Sequence, residues 1–522
     1  MGGHGSPYGG GGYWHDPENT QPIPPAYPNY QPYQQPYQPQ YPGPQKPRRR
    51  TGLVVATVVG LVLVLTLAAL VVVRPGPIGD WLDLATASPS AGAEPSAGPP
   101  SPVLDAASAD APLPSAAEVA AVLDPLLRDQ RLGSHVTASV VDAATGSSLY
   151  AKDPDAATTP ASTIKLLTAV TVLTARGSGY RIPTIAVAGA KPGEVVLVGG
   201  GDPTLAAGAT GTYPGAARLD ELAKQVRQAL GGTAPTKVIF DSSLFSGPVY
   251  GPGWDDDIPT GGFVSPITAL MTDGARINPK IVKGAQRYTQ PDLAAARAFA
   301  KALGLPATAV VKGKAPPKPE TTATATPTPS AEPGRELGRV ESPALHRLVE
   351  MMLLDSDNVI AESLARHVAL AKSQPGSYAG ASVAMRTVLG ELGLPAAEAV
   401  IADGSGLSRT DRVTPSLLTD LLALATRPDR PDLHGLFAGL PVAGYSGTLR
   451  ERYRSPSPDP AAGIVRAKTG TLRGVSGISG IAVTRDGRLL TFAFLADAVS
   501  ASGGTAAQEA LDRAASALAT GL

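Results

Sequence analysis

The sequence predicts an α+β protein, with helices packed on an antiparallel sheet, a mixed inserted region, and one membrane-spanning helix ahead of both. Three observations point there. Strand-turn-strand patterns stand near both ends of the folded part, around Val136 to Ala151 and Ile478 to Leu495. Runs with helical apolar spacing occupy much of the chain between them. Leu53 to Val73 is an uncharged apolar run. At about 1.5 Å per residue it is long enough to cross a hydrocarbon core of about 30 Å.

The 522 residues are too many for one domain. Net charge is zero, so no global field attracts nucleic acid. Cysteine is absent, which excludes disulfides, thiol catalysis and Cys-based zinc sites. The six histidines (His4, His15, His135, His346, His367, His434) show no metal spacing and no nucleophile motif. A Ser-Lys arrangement is therefore favoured over a Ser-His-Asp triad.

Residues 1–50 open with a Gly-, Pro-, Tyr- and Gln-rich stretch without apolar periodicity, which reads as a disordered tail. Lys46, Arg48, Arg49 and Arg50 then precede the apolar run of residues 51–74. This order predicts a cytoplasmic N-terminus, a retained single-pass anchor and an extracytoplasmic remainder. The run is longer than the usual signal-peptide core, and the Ala85-Thr86-Ala87 cleavage pattern stands well beyond it. Residues 75–112 are dominated by Ala, Ser and Pro and read as a flexible stalk.

Ser115-Ala116-Ala117-Glu118 fits a capping box. The helix behind it carries Val119, Val122, Leu123, Leu126 and Leu127, with Pro125 expected to kink or divide it. Val136 to Asp142, a turn at Ala144-Thr145-Gly146, and Ser147 to Ala151 form a hairpin pattern.

Pro160-Ala161-Ser162-Thr163-Ile164-Lys165 comes next. Pro160 marks a helix start and places Ser162 in the first turn. Three-residue spacing puts Ser162 and Lys165 on one face, about 5–6 Å apart at Cβ. Ile164, Leu167, Val170 and Leu173 supply the apolar stripe behind them. A serine hydroxyl needs an adjacent base, and lysine serves only when neutral. Bringing its pKa from about 10.4 towards neutrality costs roughly 4 kcal/mol, which burial and a second cation can supply. Ser-x-x-Lys alone more often marks a solvated helix face, so its partners decide.

From 178 to 339 the chain mixes short strands (Glu194 to Val198, Lys237 to Phe240) with helices (Leu219 to Leu230, Asp292 to Leu303). Residues 315–336 are Pro/Thr/Ala-rich and read as a disordered loop. After 340 helices return. Ser356-Asp357-Asn358 follows the helix-period run Leu345, Leu348, Val349, Met352, Leu353. Lys468-Thr469-Gly470-Thr471 follows the strand-like Gly463 to Ala467. Ile478 to Thr484, an Asp486-Gly487 turn and Arg488 to Leu495 form the second hairpin, and Thr505 to Leu518 closes as an amphipathic helix.

Ser-x-x-Lys, Ser-Asp-Asn and Lys-Thr-Gly in this order are the motif set of penicillin-binding proteins and class A β-lactamases. The chain resembles one branch of that superfamily, the D-alanyl-D-alanine carboxypeptidase/endopeptidase family of low-molecular-mass class C penicillin-binding proteins. Further strings carry the resemblance from about residue 113 to the C-terminus. They are Gly199 to Leu205, Asp241 to Phe245, Asp403-Gly404-Ser405-Gly406-Leu407-Ser408-Arg409 and Gly447-Thr448-Leu449.

The resemblance implies a β-lactamase/transpeptidase-like domain, helices on both sides of an antiparallel sheet, built from residues 113–177 and 340–522. Residues 178–339 would be the inserted small domains. It further implies a penicillin-sensitive serine carboxypeptidase, with DD-endopeptidase activity, acting on peptidoglycan stem peptides. β-Lactams would be covalent inhibitors, and neither metal nor organic cofactor is required. By motif position, Ser162 would be the nucleophile, Lys165 its base, and Ser356 the relay to the leaving amine. Asn358 would bind the substrate amide and orient Lys165. Lys468 would be a cation in the cleft, and Thr469 and Thr471, with Gly470 giving room, would hold the substrate carboxylate. Backbone N–H groups of Ser162 and Thr471 would form an oxyanion hole. A β-lactamase and a non-catalytic envelope scaffold are the alternatives. Asp202, Asp241 and Asp403 read as structural turn residues, because each stands beside Gly or Ser.

Overall fold

The computed structural model describes residues 108–319, 332–453 and 459–522. The N-terminal tail, the apolar run, most of the stalk and residues 320–331 of the Pro/Thr-rich loop lie outside the described residues. Among the described residues no helix is long and apolar enough to cross a membrane.

Helix α1 (Ala116–Leu127) begins at the capping box: Ser115 Oγ accepts from Glu118 N, and Ser115 N donates to the Glu118 carboxylate. Pro125 does not divide α1, which runs as one element through it. It stands in the last turn, where a missing N–H costs one hydrogen bond and no helix follows to be broken. Strands β1 (Val136–Asp142) and β2 (Ser148–Lys152) pair antiparallel.

Near the C-terminus, β8 (Arg466–Leu472), β9 (Val475–Val483) and β10 (Leu489–Ala496) complete a five-stranded sheet of order β2-β1-β10-β9-β8. Every neighbouring pair is antiparallel. Chain ends separated by more than three hundred positions thus meet as β1 and β10, with Val140 opposite Phe492.

The sheet is covered on both faces, which is why β1 is buried along its whole length. On one face Ala138, Val140, Phe492 and Phe494 pack against α1 and the closing helix (Gly504–Thr520). On the other, Ala493 and Leu495 join a helical cluster. Its members include α2 (Lys165–Arg176), α5 (Leu345–Leu354), α6 (Asn358–Ala371), α7 (Tyr378–Glu391) and α8 (Pro415–Thr426). Polar side chains on that face are paired: Ser139 Oγ lies 2.9 Å from Thr419 Oγ1.

A second sheet has the order β6-β5-β4-β3-β7. It comprises β3 (Pro183–Ala188), β4 (Glu194–Val198), β5 (Lys237–Asp241), β6 (Val310–Lys312) and β7 (Glu336–Glu341). The β4/β5 and β5/β6 pairs are parallel, with α3 (Leu219–Ala229) and α4 (Pro291–Ala302) packed on the sheet. Its entry and exit are tied together, since Ile182 N donates to Ser342 Oγ at 2.9 Å and Ser342 N to Ile182 O at 3.0 Å. This closed neck lets the segment emerge between α2 and α5 without disturbing the helical cluster.

Candidate active site

The chain enters the site through a strained corner. Ala161 has a φ of 46°, unfavourable for a residue with a Cβ. Two glycines hold it by close approach. A Cβ on Gly406 would lie 1.9 Å from Ala161 O, and one on Gly470 would lie 2.5 Å from Pro160 O. Beyond the corner, Ala161–Ile164 is a 3₁₀ turn, and the α-helix begins only at Lys165. Sequence spacing predicted an α-helical first turn for Ser162. The tighter turn has three residues per turn, so it stacks Ser162 and Lys165 directly rather than obliquely.

Lys165 is fully buried. Its Nζ donates to Ser162 Oγ at 2.9 Å, Asn358 Oδ1 at 2.7 Å and Ser405 O at 2.5 Å. An ammonium has three protons and here finds three acceptors. The amide and carbonyl oxygens can only accept. When Lys165 loses a proton, only the Ser162 hydroxyl can reverse its role and donate to the free lone pair. Burial lowers the Lys165 pKa to about 8, opposed by the carboxylates of Asp403, Glu362, Asp357 and Asp411.

Ser405 was not singled out from the sequence, because a backbone carbonyl has no side-chain signature. The signal lay in the Asp403-Gly404-Ser405-Gly406 string, whose Asp403 builds the turn that presents it. Asp403 accepts from the N–H groups of Ser405 (2.9 Å), Gly406 (2.6 Å) and Ser408 (2.8 Å), and from Trp254 Nε1 (2.6 Å). Glu362 accepts from Gly404 N at 3.1 Å and pairs with buried Arg366. Burial and the neighbouring Asp403 push the Glu362 carboxyl up, against the pull of Arg366. Asp202 and Asp241 likewise serve as turn residues, accepting from Thr204 N and Ser243 N respectively.

Ser356 and Asn358 lie where α5 gives way to α6. Asp357 caps α6 by accepting from Val359 N at 2.9 Å and Ile360 N at 3.1 Å. Ser356 has a φ of 56°, a second strained non-glycine position.

Lys468, on β8, donates to Ser356 Oγ at 3.0 Å and to Thr469 O at 2.7 Å. Sequence motifs therefore place Ser162, Lys165, Ser356, Asn358 and Lys468 in one connected site. Lys468 is fully buried among neutral partners, and burial, then the nearby Lys165, lower its pKa well below the ordinary lysine value. Two buried amines this close resist carrying two charges at once. A substrate carboxylate would give Lys468 a counter-charge. Thr469 Oγ1 lies 2.8 Å from Thr448 Oγ1, and exposed Thr471 accepts from Gln508 Nε2 at 3.1 Å. Neither Thr448 nor Gln508 was assigned from the sequence.

Residues 119–302 and 286–518 match the model of the D-Ala-D-Ala carboxypeptidase 3 (S13) family. A carboxypeptidase of Mycobacterium tuberculosis is 40% identical over 408 residues, 77% of this chain and 84% of that protein. The carboxypeptidase DacB of Mycolicibacterium smegmatis is 37% identical, over 89% of this chain and 96% of that protein. In structure the chain is similar to penicillin-binding protein 4 of Haemophilus influenzae, with a TM-score of 0.59, 24% identity, and coverage of 74% of this chain and 94% of that one. That likeness shows the fold, a penicillin-binding protein/β-lactamase-like α+β architecture.

Proposed function

Because the chain belongs to the D-Ala-D-Ala carboxypeptidase 3 (S13) family, we propose that it works through an acyl-enzyme on Ser162, with Lys165 as the base. It is a penicillin-sensitive serine-type D-Ala-D-Ala carboxypeptidase. The observation that carries the residue assignment is the bonding of Lys165 Nζ, in which Ser162 is the sole partner able to donate a proton back.

The Ser162 hydroxyl proton passes to neutral Lys165 while Oγ bonds to the substrate carbonyl carbon. The C–N bond then breaks, and the leaving D-Ala nitrogen takes a proton from Ser356. Ser356 Oγ accepts from Lys468, which leaves its own hydrogen free to be given away. Ser356 recovers a proton from the lysine pair. Water then adds to the acyl carbon as the base takes its proton, the acyl C–Oγ bond breaks, and that proton passes from the base to Ser162 Oγ. Asn358 orients both Lys165 and the substrate amide. Lys468, Thr469 and Thr471 receive the terminal carboxylate, with Gly470 admitting the substrate against β8. The N–H groups of Ser162 and Thr471 stabilise the oxyanion, at roughly 3–4 kcal/mol per donor.

The substrate class is the peptidoglycan stem peptide ending in D-Ala-D-Ala. β-Lactams present a strained amide to the same serine, and the penicillin-binding protein 4 of Haemophilus influenzae has been crystallised with one. The apolar run from Leu53 to Val73 anchors the enzyme, with the tail in the cytoplasm and the catalytic unit outside. The basic cluster before the run and its lack of charge support this placement. Release of D-alanine from a peptide ending in D-Ala-D-Ala tests the activity. The wild type should release it and Ser162→Ala should not; equal release from both would overturn the assignment.

A further inference from the structure

The middle residue of Ser356-Asp357-Asn358 holds more than a helix cap. Asp357 Oδ1 satisfies the first turn of α6. Oδ2 is taken up entirely by the segment between β3 and β7. Tyr213 donates its hydroxyl to Oδ2 at 2.7 Å, and Arg276 approaches the same oxygen at 3.3 Å. Arg276 also donates to the Tyr213 oxygen at 2.7 Å, so the two act as one unit. Both side chains of the Arg276–Asp357 pair are less than a tenth exposed. A third tie runs from Asn358 Nδ2 to Phe263 O at 3.0 Å.

The inserted segment is built to deliver this contact. Asp273, Gly274 and Ala275 have φ of 54°, 60° and 63°, three successive left-handed residues immediately before Arg276. Two of them are not glycine, so the turn is strained. It is pinned by Arg287, which donates to Gly274 O at 2.6 Å, and by Asp273, which accepts from Thr212 N at 2.7 Å beside Tyr213. A cap for α6 needs only Oδ1, so capping does not account for the second set of partners. What that set does fix is the residue on either side of Asp357. Ser356 is strained, and Asn358 touches Lys165.

We propose that Tyr213 and Arg276 are positioning residues, which clamp Asp357 so that Ser356 and Asn358 are held in register with Lys468 and Lys165. The inserted segment is then part of the proton-delivery apparatus as well as a wall beside it. This rests on the roles of Ser356 and Asn358 given above.

Arg276→Ala would leave a buried carboxylate without its counter-charge and is expected to unfold. The test therefore uses Tyr213→Phe, which removes one hydroxyl, in the full-length chain. Binding and acylation constants for benzylpenicillin are measured separately. Tyr213→Phe should slow acylation about tenfold with binding changed less than about twofold, because it misplaces groups used in the chemical step. In a Ser356→Ala/Asn358→Ala background, which lacks both groups the clamp positions, the same change should slow acylation less than about threefold, since residues acting through one another are non-additive. An equal factor in both backgrounds, or no slowing in either, overturns the clamp while leaving the assignment of Ser162 standing. A wild type that takes no label overturns that assignment and the clamp with it.

Discussion

Lys468 Nζ donates to Ser356 Oγ at 3.0 Å, joining the third motif to the second across 112 positions. With Lys468 donating, the hydrogen of Ser356 is left available for the leaving nitrogen. Ser356→Ala removes that donor and is expected to lower kcat on a D-Ala-D-Ala peptide about 100- to 10,000-fold. KM should change little, because the carboxylate contacts remain. A steady-state comparison of the two proteins checks both values.

Lys165 must be neutral to accept the Ser162 proton, and its pKa lies at about 8. Below that pH the neutral fraction falls about tenfold per unit, and above it the fraction saturates. The acylation rate should therefore rise with pH through about 8 and then level. A pH series of benzylpenicillin acylation rates reads this directly. A rate that is flat from pH 6 to 9 would remove Lys165 as the base.

Gly470 passes so close to the nucleophile corner that an added Cβ would meet Pro160 O at 2.5 Å. Gly470→Ala must push the edge strand β8 away from Ser162, and a displacement of about 1 Å costs about 100-fold in rate. The change should leave thermal unfolding almost unaltered, because β8 remains paired with β9. Acylation kinetics and a melting curve on the same sample separate the two effects.

Arg488 binds Asp142 with both ends of its guanidinium, at 2.5 and 2.7 Å, and both side chains are buried. The pair ties the β1–β2 turn to the C-terminal hairpin. Arg488→Met should destabilise the protein by about 3–5 kcal/mol, because it leaves Asp142 buried and uncompensated. Denaturant unfolding measures this.

Much of the site was legible because its groups are side chains on local patterns. Ser162 and Lys165 share one turn, Ser356 and Asn358 flank a helix cap, and Lys468 sits on a strand. The hairpins at the two ends were legible from turn residues and alternating apolar positions. The carbonyl of Ser405 was not, since any residue carries one and only the fold aims it. The 3₁₀ turn at Ser162 was hidden for a similar reason. It is imposed by the approach of Gly406 and Gly470, which come from distant segments. Parallel pairing of β4, β5 and β6 was illegible because short buried strands carry no record of their neighbours. The lowered pKa of Lys468 comes first from how deeply it is buried, which motif identity does not express.

The most direct test is the intact mass of the full-length chain after exposure to benzylpenicillin, alongside Ser162→Ala. One persistent adduct of penicillin mass on the wild type, and none on the variant, is the outcome that an acylated Ser162 requires. An adduct on the variant, an unlabelled wild type, or rapid turnover of the penicillin without an accumulated adduct would contradict it.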